Sequence, residues 1–398
     1  MMMLLTGRYI AVPGARAFLP NPLPPVDLDL GPVQLVLDEA SHLLGELNGT
    51  ARKLANPHLV IKPLTNREAL ATSRMEGTVT SLDSLYLMQA GISPASRPTE
   101  TRETLNYVRA FEAAIDELQT LPVCSRLLKN AHRRLMAGLP DWRGGHVLPG
   151  EFKSLQNHIG RQGDPIEKAR FVPCPPTHVN EIMSDLEKYI NSELSERLPP
   201  LVVTALVHYQ FETIHPFPDS NGRVGRLLIP LLLMSRKRLS QPLLYVSPLL
   251  EANKERYVDL LLAVSMEGKW LDWLQFFLET VALACREAID LASSFDEMHR
   301  RYREEVSTKR ASSLLLRLVE SLFAAPVLTI PTVVSLLGIS YPAARKHVER
   351  LREIGILRQL PGPSQPMAFF APEIMTLLND GRPTTPRAPP AGQLELPL

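Results

Sequence analysis

A polar stretch of twelve residues, His215–Arg226, lies between two apolar segments and limits which folds this chain can adopt. Apolar residues at helical spacing in Pro200–Phe211 predict a helix before it, and the apolar run Leu227–Met234 predicts a buried helix after it. A loop that enters a helix at its N-terminus presents unpaired backbone N–H groups, and the helix dipole there favours an anion. The stretch therefore predicts an anion-binding site at the start of a buried helix.

The residue types in this stretch suit a nucleotide phosphate. Gly222 allows a phosphate to approach the backbone, because glycine has no side chain in the way. Arg223 and Arg226 begin one helical face three residues apart, which suits two successive phosphate groups. Asp219 is a natural ligand for Mg²⁺ beside phosphates. His215 has a side chain suited to accepting a proton near neutrality, so the pattern predicts a phosphate site with a positioned base.

Composition narrows the class of protein further. The 43 lysines and arginines balance 42 aspartates and glutamates, so any affinity for nucleic acid must be local. The longest apolar run is far shorter than the roughly 20 residues of a membrane span, and the first residues lack the pattern of a signal peptide. Three scattered cysteines without a C-x-x-C pattern are typical of reduced thiols. We therefore expect a cytoplasmic protein that does not contact a membrane.

Hydrophobic periodicity predicts further helices along the chain. They are Val33–Leu47, Leu64–Met75, Thr104–Leu121, Ser125–Met136, Val179–Ile190, Lys254–Val264 and Leu271–Asp296. Thr65 and Glu68 form a capping-box pattern that places the start of the second of these helices, and Gly77 places its end. Prolines within residues 20–25 indicate an extended N-terminal arm, and strand-like pieces around glycines in residues 150–172 predict a β-hairpin.

The C-terminal part follows a different order of elements. Helices are predicted at Leu314–Phe323, Ile330–Leu337 and Tyr341–Ile354, followed by two short strands at Ile356–Leu360 and Met367–Phe370. Ser340 is expected to be the N-cap of the last of these helices. This is the order of a winged helix-turn-helix. Prolines from Pro383 onward predict a disordered tail.

The stretch His215-Pro216-Phe217-x-Asp219-x-Asn221-Gly222-Arg223-x-x-Arg226 resembles the signature HPFx(D/E)GNGRxxR of the Fic (Fido) family. Residues 72–77 are similar to the inhibitory motif of the family, (S/T)xxxE(G/N), and residues 149–173 resemble its substrate-binding flap. The proline-rich arm resembles its N-terminal region, and the C-terminal part resembles the winged helix that many members carry.

The resemblance implies a mainly α fold, in which a Fido-type helical core carries a small β-hairpin flap and precedes a C-terminal winged helix-turn-helix domain. We expect residues 1–100 to hold the N-terminal arm and the inhibitory motif, and residues 101–298 to form the catalytic core with the flap and the phosphate-binding loop. Residues 299–375 would then form the winged helix-turn-helix, and residues 376–398 the disordered tail.

The resemblance also implies a Mg²⁺-dependent protein adenylyltransferase, which transfers AMP from ATP to a hydroxyl side chain of a protein. His215 would deprotonate that hydroxyl, Asp219 would hold Mg²⁺, and Glu76 would reach Arg226 and displace the γ-phosphate. The other residues expected to bind ATP are Ser220, Asn221 and Gly222 in the loop, Arg223 at the β-phosphate, Gly225 in the helix after it, and Tyr245 near the adenine. The flap would hold the target segment by backbone pairing.

Ser220 departs from the family pattern, which has glycine at this position. If the position needs a positive φ, serine costs roughly 1–2 kcal/mol. The serine side chain can instead cap the helix after it, a use for which it is well suited. The departure bears on the catalytic rate and leaves the binding site in place.

The sequence leaves alternatives open. His208 and Glu212 are spaced at i and i+4 before His215, which is compatible with a metal-dependent hydrolase. Tyr245 is either a cover for adenine or an ordinary core residue. Residues 301–358 carry 10 Lys+Arg and 5 Asp+Glu, which indicates a local basic surface. The alternative function is a DNA-binding regulator whose nucleotide site senses rather than catalyses. The partners implied are ATP, a target protein, DNA, and the chain itself, through self-modification or a homodimer.

Overall fold

The computed structural model of this chain describes residues 6–53, 56–94, 96–140, 148–161, 163–307, 313–360 and 367–380. Its helices are, in chain order, α1 Gln34–Lys53, α2 His58–Met75, α3 Leu82–Gln89, α4 Pro98–Glu117, α5 Ser125–Leu135, α6 Pro176–Ile190, α7 Glu193–Glu196, α8 Pro200–Ile214, α9 Asn221–Ser235, α10 Ser247–Ala252, α11 Lys254–Glu267, α12 Trp270–Val306, α13 Ser313–Ala324, α14 Ile330–Leu337, α15 Tyr341–Glu353 and α16 Pro372–Asp380. Its strands are β1 Gly7–Val12, β2 Ala15–Pro20, β3 Val327–Thr329, β4 Arg358–Gln359 and β5 Ala368–Phe370. The mainly α fold class is confirmed.

The chain forms two units that are not contiguous in sequence. The first, which we call the core unit, comprises residues 1–55, 64–80 and 97–289. The second, the C-terminal unit, comprises residues 56–63, 81–96 and 290–398. Helices α2 and α12 contribute residues to both units. The division therefore does not follow the linear boundaries that the sequence suggests.

Helices α8 and α9 form the centre of the core unit. Nearly every residue of both helices is buried, because apolar side chains cover all of their faces. Helix α8 packs on α9 and α6, while α4 packs on α5 and α9. The indole N–H of Trp273 in α12 donates to the carbonyl of Ala205 in α8 at 3.1 Å. The loop that joins α8 to α9 is thus held between buried helices.

The helices predicted from periodicity are present, with shifted ends. Helix α4 begins six residues before the predicted start at Thr104, with Pro98 at a position where a missing N–H costs nothing. Helix α1 continues to Lys53, six residues beyond the predicted end at Leu47. The short helices α3, α7 and α10 were not predicted. Tertiary packing thus extends elements whose cores the periodicity locates correctly.

Helix α2 begins at His58, and the capping-box interpretation of Thr65 and Glu68 is wrong. Both residues lie in the middle of the helix and are buried. The Oγ1 atom of Thr65 lies 2.6 Å from the hydroxyl oxygen of Tyr245, and Oε2 of Glu68 accepts from the N–H of Ser247 at 2.9 Å. Partners about 180 residues away in sequence therefore satisfy the polar groups that a cap would have used.

The N-terminal arm is a β-hairpin, which the sequence pattern did not reveal. Strands β1 and β2 pair antiparallel along their full six-residue lengths. Phe18 in β2 is fully buried, and its N–H donates to the carbonyl of Val172 at 2.8 Å. Pro20 is the last residue of β2, and the other prolines within residues 20–25 come after the hairpin.

Residues 150–172, which we call the flap, do not form the predicted β-hairpin. Among the described residues of the flap, Ile159 and Phe171 exchange both backbone hydrogen bonds, at 2.8 and 3.1 Å, as an isolated bridge. The short 3-10 helix Ile166–Lys168 lies between them. Pro165, which has no N–H, and this turn prevent a longer ladder. The flap is therefore a loop closed by one antiparallel bridge.

The C-terminal unit has the element order α13, β3, α14, α15, β4 and β5. Strand β5 lies between β3 and β4 and is antiparallel to both. Helix α14 spans its predicted residues, between a capping box at Thr329 and Gly338 at its end. Ser340 stands at the N-cap position of α15, but its side chain makes no capping hydrogen bond. This order supports the winged helix-turn-helix prediction, although residues 361–366 of the expected wing lie outside the described residues.

Helix α16 extends five residues into the segment that we expected to be a disordered tail. Its Ile374, Met375, Leu377 and Leu378 are buried, so their helical spacing decides the structure of this stretch. The remaining residues of that segment, 381–398, lie outside the described residues. Within the described ranges, no helix combines the length and the apolar character that a membrane span requires.

Candidate active site

His215 and Ser220 bracket the polar loop, and both have left-handed backbone conformations. The angle φ is 52° at His215, where α8 ends, and 61° at Ser220, directly before α9 begins. Positive φ values are uncommon for residues other than glycine and persist where the surrounding structure enforces them. The two reversals turn the chain from α8 into α9, and as a result His215 and the N-terminal turns of α9 line one cavity.

This cavity has a volume of about 770 Å³. The predicted site residues in its lining are Glu76, His215, Gly222 and Arg226. Helix α11 supplies apolar side chains to one wall through Val258, Leu261 and Leu262, and the flap supplies Ile159, Gly160 and Phe171. The volume lies within the range of about 300–1,000 Å³ that is usual for small-molecule sites. The cavity can therefore hold a nucleotide between an apolar wall and the start of α9.

His215 is prepared to act as a base. Its Nδ1 lies 3.3 Å from the carbonyl oxygen of Glu212, and because a carbonyl only accepts, Nδ1 carries the ring proton and Nε2 keeps its lone pair. Burial, together with the positive charge of Lys153, lowers the pKa of His215 to about 4. The ring is therefore neutral at physiological pH and can accept a proton at Nε2.

Asn221 holds the loop in shape. Its Oδ1 accepts from the N–H of Phe217 at 2.7 Å, and its Nδ2 donates to the carbonyl of Phe217 at 2.8 Å. The side chain is therefore committed to the loop, and only backbone N–H groups can carry the anion-binding role expected of Asn221 and Gly222. Ser220 contributes no side-chain cap to α9, which leaves the N–H groups of its first turn to an anion.

The sequence allows either a strained backbone or a helix cap at Ser220, and the structure shows the strained backbone. Its φ is positive, and the capping alternative is wrong, because its Oγ makes no cap to α9. Instead, Oγ accepts from Nη2 of Arg223 at 2.7 Å and donates to the sulfur of Met136 at 3.2 Å. A left-handed serine costs about 1–2 kcal/mol. A hydrogen bond from a charged donor contributes about 1.5–3 kcal/mol, which offsets that strain.

Arg226 is clamped by the tip of α2. Its Nη2 lies 2.5 Å from Oε1 of Glu76, and its Nε donates to the hydroxyl of Thr72 at 2.6 Å. The Arg226 side chain is 3% exposed, whereas that of Glu76 is 33% exposed. Burial acts to raise the pKa of Glu76, but the Arg226 guanidinium outweighs it and holds that pKa below its ordinary value. The structure thus brings together the ion pair that the inhibitory motif implies.

Two further contacts fix the tip of α2. Arg74 donates to both carboxylate oxygens of Glu251, at 2.6 and 2.7 Å, and Nζ of Lys254 donates to the carbonyl of Met75 at 2.6 Å. A cation at the last carbonyls of a helix also complements its dipole. Gly77 comes next with a φ of 83°. Glu76 is therefore presented to the cavity from a fixed helix end.

Arg223 is held against α4 instead of facing the cavity. Its Nη1 lies 2.5 Å from Oε1 of Glu103, and the two side chains are 3% and 4% exposed. The hydroxyl of Thr78 donates to the same carboxylate oxygen at 2.9 Å. Removing one partner of a buried ion pair costs about 3–5 kcal/mol, so this pair is a strong restraint. The geometry differs from the expected contact of Arg223 with a β-phosphate.

Glycine is needed at two positions of α9 for different reasons. A Cβ at Gly222 would collide with Oε1 of Glu76 and with the guanidinium of Arg226, so Gly222 makes room at the anion-binding end. A Cβ at Gly225 would collide with Oε1 of Glu212. Gly225 does not line the cavity, and it allows α9 to pack closely on α8.

Asp219 is an exposed carboxylate at the edge of the loop. Its Oδ1 accepts from the N–H of Ser220 at 2.5 Å. Within the described ranges, no group of three or more His, Cys, Asp and Glu residues could hold a metal ion. A single carboxylate beside an anion-binding helix start nevertheless fits Mg²⁺, which usually takes few carboxylates and completes its shell with phosphate oxygens and water. The residues present thus suit an ion that arrives with a nucleotide.

The metal-dependent hydrolase suggested by His208 and Glu212 is contradicted by the structure. Nδ1 of His208 lies 3.0 Å from the carbonyl oxygen of Gly225, and Nε2 lies 2.9 Å from the hydroxyl of Tyr257. Burial lowers the pKa of His208 to about 3. Both ring nitrogens are engaged in the core, so His208 connects α8, α9 and α11 and is not free to bind a metal.

Tyr245 is a buried core residue and lies outside the cavity, which favours the second of the two interpretations that the sequence left open. Its hydroxyl contacts Thr65, and its ring meets that of Phe111 edge-on at 6.0 Å between centroids. Tyr245 does not line the cavity, whereas Tyr257 of α11 does. The sequence could not distinguish these two tyrosines, which are twelve positions apart, since each fits a buried face.

Sequence reasoning missed the residues that hold the predicted ones in place. Thr72 binds Arg226, Glu103 binds Arg223, and Lys153 and Asn157 contact the backbone of the polar loop. A glutamate on the buried face of α4 was the one visible signal for Glu103. Thr72 belongs to the inhibitory motif, but its contact with Arg226 was not predicted. Lys153 and Asn157 carry no local signal, because their partners lie about 60 residues away in sequence.

The family comparisons agree with this geometry. Residues 35–116 match the model of the Fic/DOC family N-terminal region, and residues 122–233 match that of the Fic/DOC family. The proteins named Protein adenylyltransferase Fic of Drosophila grimshawi and Drosophila melanogaster are 36% and 34% identical to this chain over 120 residues, which is 29% of this chain and 21% of theirs. The chain thus spans about a fifth of the length of these curated relatives.

Solved structures share the fold. A Fic family protein from Desulfovibrio desulfuricans G20 superposes with a TM-score of 0.56 at 23% identity, covering 88% of this chain and 98% of that one. Fic-1 from C. elegans superposes with a TM-score of 0.51 at 17% identity, covering 66% and 74%. At these identities the likeness establishes the fold alone. Residues 35–116 and 122–233, which include the loop at His215–Arg226, thus belong to the Fic/DOC family, as the two family models show.

Proposed function

We propose that this chain is an autoinhibited protein adenylyltransferase, which transfers AMP from ATP to a hydroxyl side chain of a protein. One observation carries the proposal: a neutral His215 shares a cavity of nucleotide size with the start of α9 and with Arg226, which Glu76 occupies. A base and preorganised donors for phosphate charge are what this transfer needs. The names of the Drosophila relatives support the proposal over 120 residues.

The positions of these residues suggest how the transfer proceeds. The target hydroxyl gives its proton to Nε2 of His215 while its oxygen attacks the α-phosphorus of ATP. The bond from that phosphorus to the bridging oxygen breaks, and pyrophosphate leaves. The first-turn N–H groups of α9 bind phosphate oxygens and stabilise their negative charge. Mg²⁺, held by Asp219 and the phosphates, would supply additional charge neutralisation when bound.

Glu76 restrains the reaction through Arg226. A γ-phosphate at Arg226 would meet the Glu76 carboxylate, which already holds the guanidinium at 2.5 Å. Repulsion between the two anions and the loss of the arginine contact would displace the triphosphate. Small misplacements of reacting atoms cost about 10²-fold in rate. ATP can therefore bind to the restrained protein in a geometry that is poor for attack.

The test is transfer of label from ATP carrying a labelled α-phosphate, to this chain or to proteins of a cell lysate. We expect Glu76→Gly to raise the labelling rate by about 10²-fold, because it frees Arg226. Adding Arg226→Ala to Glu76→Gly should remove the gain. Adding His215→Ala should lower labelling by about 10²–10⁴-fold and leave ATP binding intact, because the phosphate contacts come from other residues.

Glu76→Gln is the matched control for charge, since it keeps the length of the side chain. It should release part of the restraint, because an amide binds a guanidinium less strongly than a carboxylate does. Equal labelling by wild type and Glu76→Gly at saturating ATP and Mg²⁺ would show that Glu76 does not restrain the site. No labelling by any variant that binds ATP would reject transfer of AMP.

The DNA-binding alternative depends on the basic residues of the C-terminal unit, several of which lie in α15. Two of the basic residues of α15 form ion pairs within the helix, Arg350 with Glu353 at 3.3 Å and Arg352 with Glu349 at 2.7 Å. These pairs place two carboxylates beside basic side chains on the same helix, which weakens the DNA-binding alternative.

A further inference from the structure

Two residues of the flap bind four consecutive backbone carbonyls, from Ile214 at the end of α8 to Phe217 in the polar loop. Nζ of Lys153 donates to the carbonyl of Ile214 at 3.3 Å, Nδ2 of Asn157 donates to those of His215 at 3.4 Å and Phe217 at 3.0 Å, and the N–H of Lys153 donates to that of Pro216 at 2.8 Å. Nζ of Lys153 also donates to Oδ1 of Asn157 at 2.7 Å. The two side chains therefore support each other while they hold the loop.

The carbonyls at the end of α8 lack donors and the buried ammonium of Lys153 lacks water, so each supplies a hydrogen-bonding partner to the other. Where α8 ends and the backbone reverses at His215, the last carbonyls of the helix have no N–H four residues ahead to accept from. Lys153 is 4% exposed, and a buried ammonium is costly unless it has acceptors. The carbonyl of Ile214 and the amide oxygen of Asn157 supply those acceptors. The loop that carries His215 thus accounts for the burial of Lys153.

In its charged form Lys153 also acts on His215, although burial lowers the pKa of Lys153 itself to about 7. After burial, this charge is the largest influence that keeps the pKa of His215 low, ahead of the opposing charges of Glu76 and Asp219. The same lysine therefore contributes to both the position and the neutral form of the imidazole.

We propose that Lys153 and Asn157 are positioning residues, which hold His215 where its Nε2 meets the target hydroxyl and which connect that position to the flap. This inference rests on the proposed function. Asn157 lies two residues before Ile159, whose backbone closes the flap against Phe171. A target segment that docks on the flap therefore acts on the same element that sets the position of the base.

The kinetic test uses the full chain carrying Glu76→Gly, so that transfer is measurable. Lys153→Met removes the ammonium, and Asn157→Asp keeps the shape and the acceptor for Lys153 but removes the donor to the loop. We expect each to lower kcat by about 10²-fold, the size typical of a misplaced catalytic group, and to change the KM for ATP by less than about threefold. Lys153→Arg should recover part of the loss. Lys188→Met, at an exposed lysine of α6, should change neither constant.

A second readout does not depend on activity. In protein labelled with ¹³C-histidine, with the His215 signal identified by its loss in His215→Gln, Lys153→Met should move that signal and raise the pKa of His215. Lys188→Met should do neither. If circular dichroism shows that Lys153→Met does not fold, the kinetic and the NMR measurements are made on Asn157→Asp.

Two results would overturn the inference: folded variants with kcat within about threefold of the background, or a His215 signal that does not move. An inactive Glu76→Gly protein would reject the proposed function, whereas the His215 signal would still report whether Lys153 positions the ring.

Discussion

At the scale of single residues, Ser220 combines backbone strain with a stabilising contact. Its left-handed φ of 61° is one that glycine adopts freely, and its Oγ accepts from Arg223. Nε of Arg223 is already buried without a partner in the described part of the chain. Loss of the serine hydroxyl would leave a second guanidinium nitrogen short of an acceptor. The serine side chain therefore supplies a hydrogen bond to Arg223, while the serine backbone remains in a strained conformation.

Comparing Ser220→Ala with Ser220→Gly separates the two effects. Both variants lose the hydrogen bond to Arg223, but only glycine relieves the left-handed backbone. We expect Ser220→Ala to be less stable than Ser220→Gly by about 1 kcal/mol. Denaturant unfolding of the two variants beside the wild type measures the difference. Equal free energies of unfolding would mean that the loop imposes no strain at this position.

At the scale of elements, the sequence predicts those whose ends are set locally. Helix α14 was located correctly, because Thr329 and Gly338 beside it fix its limits. The start of α2 was missed, because the partners of Thr65 and Glu68 come from α10 and the segment before it. The hairpin β1–β2 was missed as well, because the prolines within residues 20–25 indicated an extended arm.

The residues of the candidate site likewise fall into those that a motif predicts and those that only the structure reveals. His215, Glu76 and Arg226 were predicted from motifs, and the structure brings them into one cavity. The restraints on them, such as Lys153 and Glu103, depend on contacts between distant segments, and no local pattern encodes such contacts.

Glu68 connects α2 to the N-terminus of α10, and it makes the stability of that contact depend on pH. Burial raises the pKa of Glu68 to about 7, against an ordinary value of 4.5, even though its contacts to Ser247 act in the opposite direction. Between pH 4.5 and pH 7, the Glu68 carboxyl is therefore ionised to a larger extent in the unfolded chain than in the folded one. The folded protein therefore loses stability as pH rises from 4.5 to 7.

Glu68→Gln removes this titration. Relative to wild type, the free energy of unfolding of Glu68→Gln should rise by roughly 3 kcal/mol between pH 4.5 and pH 8, because each pKa unit corresponds to about 1.4 kcal/mol. Denaturant unfolding of both proteins at pH 4.5, 6 and 8 gives the difference. A difference that stays constant across this range would show that Glu68 is ionised in the folded protein at acid pH.

At the scale of the whole molecule, the two units share the chain in an interleaved order. Residues 81–96, which include α3, belong to the C-terminal unit although they precede the core helices in sequence. The expected linear boundary near residue 298 does not account for this order. The predicted chemical residues all precede α12, yet a cut near residue 301 also removes the partners of α3.

Substitution of Tyr86 in α3 tests whether α3 depends on residues after position 301. It is 1% exposed and lines a cavity of about 170 Å³ together with Val327 and Leu328 of β3. In the full chain, Tyr86→Ala should cost roughly 3–5 kcal/mol, as truncation of a buried aromatic residue usually does. In a chain that lacks residues from 301 onward, β3 is gone, and the same substitution should cost less than about 1 kcal/mol. Unfolding of the four proteins forms a double-mutant cycle in which the two changes are strongly coupled. Equal costs in the full and the shortened chain would show that the core unit alone buries α3, and the interleaved division would then be wrong.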